Sequence, residues 1–188
     1  YQRSLGEMAL MVLPPELREL DAAQWQRRLK RLNKTLGAAL EAGPGPEVPA
    51  LTPQQTQALQ ALAEAGPHTH LLWGSTGSGK TEVYLRHTDQ VLQGGGQVLM
   101  MVPEINLTPQ LEARFSARFA PQFGAQAVVS LHSGMTPAQR LKSWLAAHQG
   151  AARIVLGTRM AVFASLPALR ILVVDEEHDP SYKQQEGA

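Results

Sequence analysis

Eight residues, Gly74-Ser75-Thr76-Gly77-Ser78-Gly79-Lys80-Thr81, restrict the fold of this chain more than any other feature it carries. They satisfy the pattern G-x-x-x-x-G-K-[ST]. Three glycines let the backbone wrap closely around an anion and turn successive N–H groups inward as a nest. A helix opening at Lys80 would add the positive end of its dipole to the same anion. Lys80 is then expected to reach the β and γ phosphates of a nucleotide, and the Thr81 hydroxyl to ligate Mg²⁺. A flexible glycine-rich turn could fit the pattern by chance. The context argues otherwise, because Leu71-Leu72-Trp73 reads as an apolar strand before it and Val83-Tyr84-Leu85 as a helix after it.

The rest of the chain repeats that strand-then-helix rhythm. Strand-like runs fall at His70–Trp73, Gln97–Val102, Ala125–Ser130, Arg153–Leu156 and Arg170–Val174. Helix-like segments fall at Pro53–Ala65, Lys80–Gln93, Thr108–Phe119, Thr136–Gln149 and Met160–Ala164. Short β-branched strands alternating with helices predict an α/β fold, a parallel sheet flanked by helices on both faces. Such sheets bind ligands at the carboxyl ends of their strands.

A second, acidic element lies where that rule needs it. The apolar run Ile171-Leu172-Val173-Val174 ends in Asp175-Glu176-Glu177-His178. A P-loop nucleotide site requires an acidic group at a neighbouring strand end, so Asp175 is the expected Mg²⁺ partner through water. Glu176 would orient or deprotonate an attacking water. The alternative is a solvated acidic cluster closing a strand.

Composition divides the chain and excludes several classes. Gly43-Pro44-Gly45-Pro46-Glu47-Val48-Pro49 reads as a linker and puts a boundary near residue 45. Residues 1–45 then form a small, mostly helical segment and residues 46–188 the α/β domain. In the first piece Pro15 and Glu16 suit a helix start, and Trp25, Leu29, Leu32, Leu36 and Leu40 share one helical face. Arg27, Arg28, Lys30, Arg31 and Lys34 crowd the same helix, as a solvated face or, less simply, as a phosphate contact. About 45 residues are too few for an independent core, so this piece is expected to lean on another. With 17 basic against 16 acidic residues the formal charge is +1, which excludes a strongly basic, histone-like binder. No cysteine is present, so no disulfide or thiolate metal site is expected. The apolar run Met8–Pro15 is far short of the roughly 18 residues of a membrane span and lacks the features of a leader, so a soluble, reducing-compartment protein is expected.

Beyond these general readings, a P-loop followed by D-E-x-H resembles the first motor lobe of superfamily 2 helicases. Five stretches in order resemble the PriA-type primosomal replication-restart helicases: Thr76–Leu85, Val102–Gln110, Leu131–Gly134, Ile154–Arg159 and Asp175–Gly187. The resemblance covers Leu51–Gly187 and implies a RecA-like P-loop NTPase lobe, truncated after the D-E-E-H motif. It implies an ATP-dependent DNA helicase or translocase that uses ATP and Mg²⁺ and moves on single-stranded DNA at stalled or forked substrates. Primosome and single-strand-binding proteins would be its partners, no membrane would be involved, and its place would be the bacterial cytoplasm, at the nucleoid.

Residue roles follow from the same resemblance. Thr52, Pro53 and Gln55 sit where such helicases read adenine, Gln55 being the base contact, although Thr52-x-x-Gln55 is equally a capping box. Pro103–Gln110 and Gly157-Thr158-Arg159 correspond to motifs that grip the DNA backbone. Thr108, Thr158 and Arg159 are the implied contacts, with helix capping as the alternative for Thr108 and no phosphate role for Glu104. Ser133 and Gly134 are a further DNA contact or a plain turn after a strand. His178 would link the nucleotide site to a second lobe, and Tyr182, Lys183, Gln184 and Gln185 would begin an aromatic-rich loop coupling DNA binding to hydrolysis. An arginine finger and the zinc region of the family are expected in that second lobe, so these residues alone are expected to hydrolyse nucleotide very slowly, with no zinc site of their own. Tyr1–Glu7 resembles the close of the family's N-terminal DNA-binding domain, which would make residues 8–45 a reduced winged-helix-like region. Two other classes compete: a P-loop phosphotransferase, and an ATPase-silent DNA-binding scaffold for primosome loading.

Overall fold

A computed structural model describes residues 13–18, 20–37, 48–66, 68–75 and 77–183. Four strands, β1 (Gln97–Met101), β2 (Val128–Leu131), β3 (Ile154–Gly157) and β4 (Leu169–Val174), form one sheet in the order β2-β3-β1-β4. Every pairing is parallel, with Met101 opposite both Gly157 and Val174, and Leu131 opposite Gly157. Helices α1 (Pro15–Arg18), α2 (Ala22–Gly37), α3 (Pro53–Glu64), α4 (Lys80–Gln93), α5 (Pro109–Phe123) and α6 (Pro137–His148) complete the described secondary structure, with three short 3₁₀ turns.

The sheet is apolar on both faces because helices cover both. β1 is buried along its whole length. Its alternate residues Val98 and Met100 join Phe115, Phe119, Leu85, Ile154 and Leu156 in one core, while Leu99 and Met101 join Leu141, Trp144, Leu145 and Val155 in the other. This is the period-two alternation of a strand placed between two helical layers. Leu13, Leu17, Leu20, Trp25 and Leu29 from the first piece pack against the second core.

Three expectations need correction. The strand at His70–Trp73 does not form: these residues take no regular structure, and Leu71 and Trp73 are 73% and 88% exposed. A strand exists only through a neighbour's ladder. β1 is already held between β3 and β4, and the segment does not pair with the outer edge of β4. The N-terminal helix is not one helix but two. Asp21 restarts it, accepting from the Gln24 N–H at 2.7 Å while Gln24 Oε1 accepts from the Asp21 N–H at 3.3 Å, a reciprocal cap that breaks the run. Met160–Ala164 is a 3₁₀ turn, Arg159–Phe163, rather than an α-helix. Arg27, Arg28 and Lys30 are exposed, whereas the side chains of Arg31 to Leu36 and all of Leu40 lie outside the described residues.

Buried Gln97 fastens three segments at the amino end of the sheet. Its amide nitrogen donates to Ala147 O at 2.8 Å and Ala152 O at 2.7 Å, and its oxygen accepts from Ala168 N–H at 3.0 Å. Replacing it with leucine keeps the volume but strands those backbone groups. Gln97→Leu is therefore expected to lower stability by about 2–4 kcal/mol in urea unfolding followed by circular dichroism.

Candidate nucleotide-binding site

Four parallel strands ending at one edge deliver four loops to the same place. The loops are also tied together by backbone bonds: Val102 N–H to Gly157 O at 2.9 Å, Asp175 N–H to Met101 O at 2.9 Å, and Thr158 N–H to Leu131 O at 3.3 Å. Gly157 lets this happen, since a Cβ there would meet Leu131 O at 2.6 Å.

Beside this edge stands the glycine loop. Gly77 and Gly79 have φ of +80° and +82°, a left-handed backbone that favours glycine. Gly79 caps α4, and among the described residues the N–H groups of Lys80 and Thr81 have no hydrogen-bond partner. The Lys80 ammonium donates to Gly74 O at 2.6 Å and Ser75 O at 3.2 Å, which leaves one of its three protons for another acceptor. Ser78 N–H closes the loop on Ser75 O at 3.1 Å. A helix start, left-handed glycines and an ammonium fit a phosphate group. Thr76 lies outside the described residues.

Gln55 forms the capping box, and its side chain also reaches the glycine loop. Its oxygen accepts from Thr52 N–H at 2.9 Å in a full capping box, and its amide nitrogen donates to Gly79 O at 3.3 Å. The helix cap of α3 is thereby tied to the phosphate loop.

On the other side, Asp175 follows β4 directly. Burial raises its pKa above the usual carboxylate value, with the Glu176 charge adding to the effect and a Tyr84 hydrogen bond opposing it. The Tyr84 hydroxyl stands 3.2 Å from Thr81 Oγ1 and 3.4 Å from Asp175 Oδ2. Residues from two distant parts of the chain thus meet at one hydroxyl. Glu176 is exposed and adopts φ +48°, uncommon for a residue with a side chain, and its carbonyl accepts from Asp179 N–H at 2.9 Å to close the turn. His178 is exposed, with Nε2 3.7 Å from Glu176 Oε2. Tyr182 donates to the backbone oxygen of Asp175 at 2.8 Å, and burial raises its pKa. Gln184 and Gln185 lie outside the described residues. Among the described residues no cluster of three or more His, Cys, Asp or Glu side chains could hold a metal alone. A Mg²⁺ ion here would therefore draw on phosphate oxygens and water as well as on Thr81 and Asp175.

The residues expected along DNA follow β1, β2 and β3. Thr108 caps α5, its oxygen accepting from Leu111 N–H at 3.3 Å. Ser133 donates to Glu104 Oε1 at 2.8 Å, so the loops after β1 and β2 are linked. Gly134 and Arg159 are exposed, while Thr158 is only 5% exposed and offers little surface to a ligand.

Two features escaped the sequence reading. Tyr84 registered only as an apolar helix residue. Glu82, next to Thr81, accepts two bonds from Arg118 of α5 at 3.0 and 2.9 Å and one from Arg86 at 2.9 Å, and Arg86 also donates to Pro49 O at 2.7 Å. The Glu82–Arg86 spacing of four was visible in the helix; Arg118, from another helix, was not.

The DEAD/DEAH box helicase family matches residues 52–187, and the chain belongs to that family. Membership implies use of a nucleotide and Mg²⁺ in general. More narrowly, the chain is similar to replication restart protein PriA of Haemophilus influenzae, 46% identical over 140 residues, 73% of this chain and 18% of that protein. The corresponding protein of Synechocystis is 48% identical over 139 residues, 73% of this chain and 16% of that protein. That of Rickettsia felis is 35% identical over 187 residues, covering 100% of this chain and 26% of that protein. The chain thus spans about a sixth to a quarter of the length of these relatives. No helix among the described residues is long and apolar enough to cross a membrane.

The raised pKa of Asp175 has a sign that can be measured. A carboxyl whose folded pKa lies above its unfolded value binds its proton first in the folded state, so its ionisation costs stability as pH rises through that window. In metal-free buffer Asp175→Asn is expected to melt higher than wild type at pH 7. The gain should fade as pH falls through the raised pKa toward the ordinary value of 3.8. Melting curves across pH read the outcome.

Proposed function

We propose that the chain is the first motor lobe of an ATP-dependent DNA helicase acting in replication restart. The observation that carries this reading is the meeting of Thr81, Tyr84 and Asp175 beside the glycine loop, 3.2 and 3.4 Å apart through one hydroxyl. Residues 46–188 form the lobe in this reading, and residues 1–45 a helical segment that leans on it. Gly74 to Thr81 cradle the phosphates, and Gln55 stands beside the loop to read the base. The Lys80 ammonium offsets charge at the transferring phosphate, Thr81 and Asp175 hold Mg²⁺, and Glu176 takes a proton from the attacking water. When bound, Mg²⁺ neutralises charge developing on the phosphate oxygens. Thr108, Ser133, Gly134 and Arg159 line a track for a single DNA strand, Arg159 being the exposed cation among them, while Thr158, nearly enclosed, starts the turn that carries Arg159. His178 and Tyr182 pass changes in that track to the nucleotide site, and Gln184 and Gln185 extend the same coupling segment. Forked and single-stranded DNA, primosome proteins and single-strand-binding protein are the partners of the whole protein in this reading, in the bacterial cytoplasm at the nucleoid.

Two measurements on the full-length protein test it. Forked DNA should stimulate ATP hydrolysis, and Lys80→Ala should cut the stimulated rate about 10²- to 10³-fold. A Lys80→Ala protein with wild-type stimulated hydrolysis would refute the motor assignment, and one that hydrolyses nothing yet still restarts replication in cells would favour the scaffold. For the DNA track, Arg159→Ala should weaken single-strand binding alike for every sequence and flatten the salt dependence by about 0.7 in log–log slope, read by fluorescence anisotropy.

A further inference from the structure

We propose that Tyr84 is a positioning residue that aligns Thr81 and Asp175 for a divalent cation, a role that rests on the nucleotide-site reading above. The ring of Tyr84 is buried in the core shared by α4, α5 and the sheet, alongside Met100 and Phe115. Its hydroxyl emerges from that core between the two side chains that a cation must join, 3.2 Å from Thr81 Oγ1 and 3.4 Å from Asp175 Oδ2. Thr81 lies one helical turn before Tyr84, and Asp175 lies 91 positions after it, at the end of β4.

Proton counting decides how the three groups share their bonds. A phenol carries one proton and can also accept, whereas an ionised carboxylate can only accept. Tyr84 therefore gives its proton to Asp175 and has its oxygen left to receive the Thr81 proton. With that proton engaged, the lone pairs of Thr81 face away from the phenol and remain open for a cation. The carboxylate is fixed by the same hydroxyl, so both groups are held from one rigid, packed ring. A phenol, which ordinarily ionises only near about pH 10, keeps its proton throughout the neutral range. Groups that orient metal-binding side chains in this way are typically worth about 10- to 100-fold in metal affinity.

The test uses the full-length protein, a fluorescent N-methylanthraniloyl ATP analogue and MgCl₂. Tyr84→Phe keeps the ring and deletes the hydroxyl. It should raise the Mg²⁺ concentration for half-maximal analogue binding about tenfold, while affinity for the analogue in EDTA stays at the wild-type value. In a Thr81→Ala background the same substitution should add little, because one of the groups it acts through has gone; a packing role would add its full loss in either background. A Tyr84→Phe protein with the wild-type Mg²⁺ response, beside a Thr81→Ala protein that has lost it, overturns this proposal alone. A wild-type protein that does not bind the analogue overturns the nucleotide site itself, and this proposal with it. Should Tyr84→Phe not fold, 3-fluorotyrosine at position 84 gives a second readout. Its ¹⁹F resonance should move at the Mg²⁺ midpoint of analogue binding, and a resonance that stays still overturns the proposal.

Discussion

Parallel strands must all leave a sheet through the same edge, and in this chain that rule gathers the acidic turn after β4 and the loops after β1, β2 and β3. β1 lies between β3 and β4, and its neighbours' ladders put Met101, Gly157 and Val174 level with one another. The residues that follow them, from Val102, Thr158 and Asp175, are cross-bonded before any side chain is considered. Chemistry at the edge is therefore positioned by backbone hydrogen bonds, which are rigid, and tuned by side chains, which can differ. The glycine loop joins from outside the sheet, through helix α4 and the shared hydroxyl of Tyr84.

Much of this was legible in the sequence because the signals are local. The loop Gly74–Thr81 declares itself through its glycines and its spacing, and β1, β3 and β4 through apolar runs that stand alone in polar surroundings. Thr52, Thr108 and Thr136 announce helix starts, and all three serve as caps in the fold. What was not legible depends on partners that spacing cannot reveal. Leu71-Leu72-Trp73 has strand composition, but composition does not supply a neighbour, and no ladder reaches it. Gln97 looks like a polar flaw at a strand start, yet it satisfies three backbone groups from α6, the following loop and the approach to β4. Tyr84 reads as one more apolar contact because only its final atom carries the chemistry, and that atom's second partner is far away in sequence. The roles of individual side chains along the proposed DNA track belong to the same class, since exposure alone separates Arg159 from the adjacent, nearly enclosed Thr158.

Linkage between the two halves of the edge also has a physical basis. Glu82 lies beside Thr81 on α4 and takes a two-pronged bond from Arg118 on α5, the helix that Thr108 caps. Both partners are largely enclosed, so this pair is screened less than a surface salt bridge and holds α4 and α5 at a fixed spacing. The start of α4 beside the glycine loop is thereby fastened to the helix that Thr108 caps. The segment around α1 and α2 leans on the opposite face of the sheet and leaves this connection untouched.

Glu176 occupies a backbone conformation that glycine would adopt at no cost and that a residue with a Cβ tolerates at roughly 1–3 kcal/mol. Two selections on a library randomised at this codon would consequently diverge. Survival of heat or protease would enrich glycine and asparagine there, whereas survival by turnover would, on the proposed role of Glu176 as base, return the acid.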